Sequence, residues 1–147
     1  MDRGHQAPLA AFPGTQFWPQ TNHLSNITPQ FAPLNQGPWE EIESREIRLS
    51  RDKNLTVYVL TGPLFETLMS ALPRADERHR VPSGYWKVVM TTDGRASAFI
   101  FPQDTPRNAD HCGRRVSINE VELRARLMLR PWGTSQPGSL DSELGCP

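Results

Sequence analysis

Apolar positions along this 147-residue chain change their spacing several times, and each change marks an element. Trp39, Ile42, Glu46 and Leu49 recur every three to four residues and form one mostly apolar stripe, the signature of a helix face. Asn35-Gln36-Gly37-Pro38 stands directly ahead, with proline in a first turn where its missing N–H costs nothing, so a helix is predicted from there to about Arg51. Residues 55–60 (LTVYVL) predict a buried strand that ends at Thr61-Gly62-Pro63, and residues 64–72 predict a short helix. Residues 85–91 and 97–101 predict two strands joined by Asp93-Gly94, a turn pair suited to an antiparallel hairpin. Ser117-Ile118-Asn119-Glu120 has capping-box spacing and predicts a helix to about Leu129.

Between these patterned stretches, breakers dominate. Residues 6–38 contain Pro8, Pro13, Gly14, Pro19, Pro29, Pro33, Gly37 and Pro38, which predicts irregular backbone. Leu9, Phe12, Phe17, Trp18, Leu24, Ile27 and Phe31 are residues of buried type, so the segment is expected to be an ordered loop. The tail from Pro131 is rich in glycine, proline and serine and would be anchored, if at all, by Cys146. With no internal repeat, the class is α+β in a single domain spanning 1–147.

Composition narrows the function classes. Sixteen basic residues balance sixteen acidic ones, so the chain lacks the basic field of a protein that coats nucleic acid, although an enzyme needs only a local positive groove. No run of about 18 apolar residues is present, so no membrane span and no membrane partner are expected. The first residues carry no charged-then-apolar leader, so a secreted protein would carry its signal upstream of Met1. Cys112 and Cys146 either close a loop of about 35 residues, contributing roughly 3–4 kcal/mol, or are two unrelated thiols; neither CxxC spacing nor paired histidines favour zinc.

The candidate chemistry begins at Asp2-Arg3-Gly4-His5. Histidine has the proton affinity to take a proton from water near neutral pH, so His5 is a candidate general base. In an extended segment Arg3 projects to the same side, where a guanidinium can clamp phosphate oxygens. Asn35 is either an N-cap or, through its amide oxygen, a ligand for a hard cation that keeps most of its waters. Glu43 lies eight residues on, about 80° round the helix, too far to share direct ligation with Asn35 but suited to binding metal-held water. Taken singly, Glu43 reads as a solvated helix charge.

Three blocks then carry a resemblance. Asp2-Arg3-Gly4-His5-Gln6-Ala7-Pro8-Leu9-Ala10, Asn22 through Gln30 (NHLSNITPQ) and Leu34-Asn35-Gln36-Gly37-Pro38-Trp39 occur in the order and spacing of the DNA/RNA non-specific endonucleases of the ββα-metal superfamily. The likeness continues through Thr61-Gly62-Pro63-Leu64, Pro82 to Lys87 (PSGYWK) and Ala109-Asp110-His111-Cys112 to Gly145-Cys146, and the chain most resembles the secreted, Serratia-type branch. The resemblance implies a ββα-metal nuclease fold, with an antiparallel sheet flanked by helices. It also implies roles: His5 as general base, Asn35 as the direct protein ligand of one Mg²⁺ (Mn²⁺ as alternative), and Glu43 holding the metal's water. Arg3 would contact phosphate and Asn26 would order the site. The substrates implied are DNA and RNA, cleaved to 5′-phosphate products. A homodimer and a protein inhibitor are compatible further partners. A Cys112–Cys146 disulfide is implied as well, and with it a secreted or periplasmic location.

Two departures from the family pattern shape the expectations. The family's second arginine, four residues after the glutamate, is replaced by Ile47, leaving the neighbouring Arg48 as a substitute phosphate contact. Family members also carry strands ahead of the DRGH motif, so the fold is expected to be N-terminally incomplete, with His5 on a fraying end. The alternative function is accordingly a truncated, non-catalytic remnant that retains nucleic-acid or partner binding.

Overall fold

The chain's longest apolar strands build its central layer. In the computed structural model, which describes residues 1–53, 55–129 and 138–147, β4 (Gly84–Thr91) is buried at every position and pairs on both sides. It joins β3 (Val57–Leu64) and β5 (Ala96–Pro102), and β5 adds the short β6 (Arg115–Val116), giving an antiparallel sheet of order β3-β4-β5-β6. Strand alternation sorts the side chains into two cores. Tyr85, Val89, Phe99 and Phe101 face one way, against α2 (Glu40–Lys53) and the C-terminal Leu140 and Leu144. Trp86, Val88, Met90, Ala98 and Ile100 face the other way, against Val121 of α3 (Ile118–Ala125). The hairpin over Asp93-Gly94 forms as expected, with Gly94 at φ +83° in its turn.

A second, two-stranded sheet joins β1 (Asp2–His5) to β2 (Ile27–Gln30) in antiparallel register, Arg3 opposite Pro29 and His5 opposite Ile27. The main sheet holds it in place. Tyr85 Oη donates to the Pro29 carbonyl at 2.7 Å, Gln103 Nε2 donates to the same oxygen at 2.9 Å, and Phe31 N donates to Gln103 Oε1 at 2.9 Å. A single helical turn, α1 (Ala32–Leu34), then leads through a π-helical kink at Asn35–Trp39 into α2.

Several sequence expectations are corrected. His5 is not on a free end: β1 is paired along its length with β2, a partner more than twenty residues downstream that local pattern could not supply. The 6–38 segment is ordered, but Leu9, Phe12, Phe17, Trp18 and Leu24 are exposed; short 3₁₀ turns and hydrogen bonds hold it rather than burial. Strand β3 starts later than expected and runs through Gly62-Pro63, because β3 is an edge strand, where a proline without N–H is tolerated. At Gly62 the backbone also presses on the Trp86 indole, where a Cβ would sit 2.8 Å away. No helix forms over 64–72: Leu64 ends β3, and Leu68 is fully exposed, with no surface for an apolar stripe to cover. Helix α3 stops at Ala125, not Leu129: Arg126 turns left-handed (φ 54°), and its N–H and that of Leu127 both reach the Glu122 carbonyl, a Schellman-type end. Of the expected tail, residues 131–137 lie outside the described residues.

Candidate functional site

Strand β1 delivers the histidine and the loop before β2 holds it. His5 Nε2 lies 3.1 Å from Asn22 Oδ1, which places the proton on Nε2 and leaves the Nδ1 lone pair available. Behind it, Asn26 acts as a clamp: its Oδ1 accepts from Ala7 N at 2.8 Å, and its Nδ2 donates to the carbonyls of Ala7 at 2.9 Å and Thr21 at 2.8 Å. Gln6 N adds a bond to the Asn26 carbonyl at 2.9 Å. The chain leaving β1 is thereby tied to the chain entering β2. Gly4 allows close approach on the strand's other side, where a Cβ would stand 2.3 Å from the Gln30 side chain.

Asn35 sits at the kink where α1 meets α2, and it is not the helix N-cap that its residue type suggests. Its Nδ2 donates to Asp2 Oδ2 at 3.0 Å, and Gln36 Nε2 donates to the same oxygen at 2.7 Å. A carboxylate only accepts, so the amide is turned with its NH₂ toward Asp2 and its oxygen away. Among the described residues nothing donates to that oxygen. Gln36 in turn accepts from Arg107 Nη2 at 2.6 Å. Gly37 keeps this corner tight, since a Cβ there would meet the Arg107 carbonyl at 2.4 Å.

One turn into α2, Glu43 points toward the sheet; it is not the solvated charge that its position alone suggested, and its side chain is only 15% exposed. Strand alternation explains its neighbour. Lys87 is on the α2 face of β4, wholly buried, with Nζ 3.0 Å from Glu46 Oε1, 3.8 Å from Glu43 Oε1 and 4.5 Å from the Trp39 ring centroid. Burial pushes the Glu43 carboxyl up to about 7, against the attraction of Lys87 and with the repulsion of Glu46. Glu46 is also raised by burial, opposed by Lys87. Glu43 Oε1 is buried and lacks a hydrogen-bond donor. An oriented bare amide oxygen at the kink and a buried carboxylate on the helix that follows it are hard oxygen donors of the kind a hydrated Mg²⁺ takes, so the residues fit the metal.

The structure thus joins Asp2, Asn35 and Gln36 at one end of β1, with His5 and Asn22 at its other end and Asn26 behind. It does not bring Arg48 to this group: that residue is exposed and lies about 140° round α2 from Glu43, while Ile47 occupies the nearer position. Arg3 is exposed on β1. Sequence reasoning missed the supporting roles of Asp2, Asn22, Lys87 and Glu46. Lys87 carried a signal, as a lone charge inside the apolar run GYWKVVM; Asn22 and Asp2 carried none beyond belonging to the motif blocks.

An antiparallel strand pair running through a kink into a helix, with histidine on the pair, amide at the kink and carboxylate on the helix, defines an α+β protein of the ββα-metal class. The sequence profile of the DNA/RNA non-specific endonucleases matches residues 1–128. The chain belongs to that family. It is 42% identical to a nuclease of Serratia marcescens, over 99% of this chain and 60% of the relative. It is 41% identical to human mitochondrial endonuclease G, over 95% of this chain and 51% of the relative. A nuclease of Nostoc sp. is 30% identical, over 82% and 47% respectively. The chain therefore spans about half to three-fifths of the length of these relatives. No helix of the described residues is long and apolar enough to cross a membrane.

Proposed function

We propose that this chain carries the active site of a Mg²⁺-dependent endonuclease that hydrolyses DNA and RNA phosphodiesters to 5′-phosphate products. The observation that carries the reading is the Asn35 amide, held by Asp2 with its oxygen bare. Asn35 Oδ1 would hold the cation directly, and Glu43 would accept hydrogen bonds from its water; Mn²⁺ meets the same donor set. When bound, the cation supplies charge that stabilises the leaving 3′-oxygen. His5, with Nε2–H directed to Asn22, takes a proton from the attacking water at Nδ1. Asn26 positions that histidine through the loop it clamps. Arg3, exposed on the same strand, contacts a phosphate oxygen; Arg48, turned away on α2, is at most a peripheral contact. A site built from these groups reads the nucleic-acid backbone and not the bases.

The relatives, a nuclease and an endonuclease G, support nucleic acid as substrate. The Cys112–Cys146 bond supports an oxidising compartment, such as the periplasm or the exterior. The test is digestion of plasmid DNA and of RNA by the purified chain. Activity is expected with Mg²⁺, lost with EDTA, and reduced roughly 10²–10⁴-fold in His5→Ala. Equal rates for wild type and His5→Ala would overturn the assignment.

A further inference from the structure

Away from the nuclease site, His111 is buried against the disulfide. Its Nε2 lies 3.5 Å from Cys112 Sγ and 3.5 Å from Cys146 Sγ. All three side chains are buried, and their donor atoms fall within 4.8 Å of one another. In a tetrahedral zinc site, metal–sulfur bonds of about 2.3 Å and metal–nitrogen bonds of about 2.0 Å put nitrogen and sulfur about 3.5 Å apart. Both nitrogen–sulfur edges of such a site are therefore already in place. The sulfur–sulfur edge is closed by the covalent bond and has to open to about 3.8 Å when that bond is reduced.

The surroundings suit this use. Nε2 now donates to the Leu144 carbonyl at 3.0 Å; ligation requires the other tautomer, with the proton on Nδ1, and requires that carbonyl to turn aside or to become a ligand itself. Asp110 Oδ1, which accepts from Cys112 N at 2.9 Å, lies 3.8 Å from Nδ1; it has to close by roughly 1 Å to accept that proton's hydrogen bond and fix the ring, as carboxylates do behind metal-bound histidines. Contacts besides the bond also tie the C-terminal segment to the body. Leu140 and Leu144 are fully buried, and Arg115 holds Asp141 at 3.2 Å and the Pro147 carbonyl at 2.9 Å.

We propose that His111, Cys112 and Cys146 form a Cys₂His site for a divalent cation of zinc type, gated by reduction of the disulfide. A dithiol reductant gives two electrons and two protons to the cystine, becoming a disulfide itself and leaving two thiols. Metal binding then displaces both thiol protons to solvent, with the Leu144 carbonyl or a water in the fourth position. The C-terminal tail is tied to the body in either state, by the disulfide under oxidising conditions and by the metal under reducing ones.

Co²⁺ titration of the full chain, reduced with a phosphine and kept free of oxygen, tests this. A thiolate-to-cobalt charge-transfer band is expected to saturate at one equivalent, to vanish on adding Zn²⁺, and to be absent from the oxidised chain. Cobalt at Asn35 and Glu43 meets only oxygen and gives no such band. His111→Phe is expected to weaken binding at least tenfold, and Asp110→Asn, whose side chain is outside the core, roughly 10-fold or more. Absence of the band in the reduced wild type overturns the proposal. So does an unchanged titration in both variants, whatever their folding by near-ultraviolet circular dichroism.

Discussion

Replacing Glu43 with glutamine separates the cost of the candidate site from its use. The carboxyl is buried under α2, and desolvation raises it from an ordinary 4.5 to about 7 even with Lys87 3.8 Å away. Between those values the folded chain holds a proton that the unfolded chain has released, so this group's contribution makes stability fall as pH rises through the window. Above about pH 7 the full penalty is present, about 3 kcal/mol. Below about pH 4.5 it is absent. Glutamine keeps the shape and removes the charge, while Lys87 keeps Glu46 as its closer partner at 3.0 Å. The metal-free Glu43→Gln protein is therefore expected to melt higher than wild type at pH 8, by up to about 10 °C at roughly 3 °C per kcal/mol for a domain of this size. The gap should close toward pH 5. Thermal unfolding followed by circular dichroism in EDTA measures it, with Mg²⁺-dependent cleavage assayed alongside and expected to be lost. A Glu43→Gln protein that is less stable at pH 8, or shifted equally at pH 8 and pH 5, would refute the argument that burial of the charge sets this group's affinity for its proton.

Three further outcomes follow from the same geometry. Asn26→Ala removes three hydrogen bonds, two to Ala7 after β1 and one to Thr21 within the loop, and is expected to cost about 2–3 kcal/mol in urea unfolding, with cleavage falling as His5 loses its support. Asp2→Ala frees the Asn35 amide to rotate; the Mg²⁺ concentration for half-maximal activity should rise roughly 10–100-fold, with the melting temperature little changed. Lys87→Met leaves two buried carboxylates without their cation, and a loss of about 3–5 kcal/mol at pH 8 is expected, shrinking as the pH falls and the carboxyls protonate.

The central hairpin, the N-cap at Ser117 and the stripe of α2 were all legible as local pattern, because strand alternation, a turn or cap residue and a helical period are properties of neighbouring residues. The end of β3 was not, since Pro63 belongs to a strand only because that strand is at the edge of the sheet. Nor was the helix expected over 64–72 absent for any local reason; it lacked a surface to pack on, and Leu68 shows it by standing in solvent. Glu43 shows the same limit at the site. Its place on the helix was readable, but its burial depends on Lys87 arriving from β4, forty-four residues later.

The sequence by itself determined the class of the chain, the motif blocks that place it among the non-specific endonucleases, and the residue types available for the chemistry. The tertiary structure decided how those residues are held. It paired β1 with β2, turned the Asn35 amide with Asp2, buried Glu43 over Lys87 and set His111 against the two sulfurs. Motifs record which side chains are present in short stretches of chain. Orientation, desolvation and tautomer depend on what packs against them, and here those partners come from distant segments.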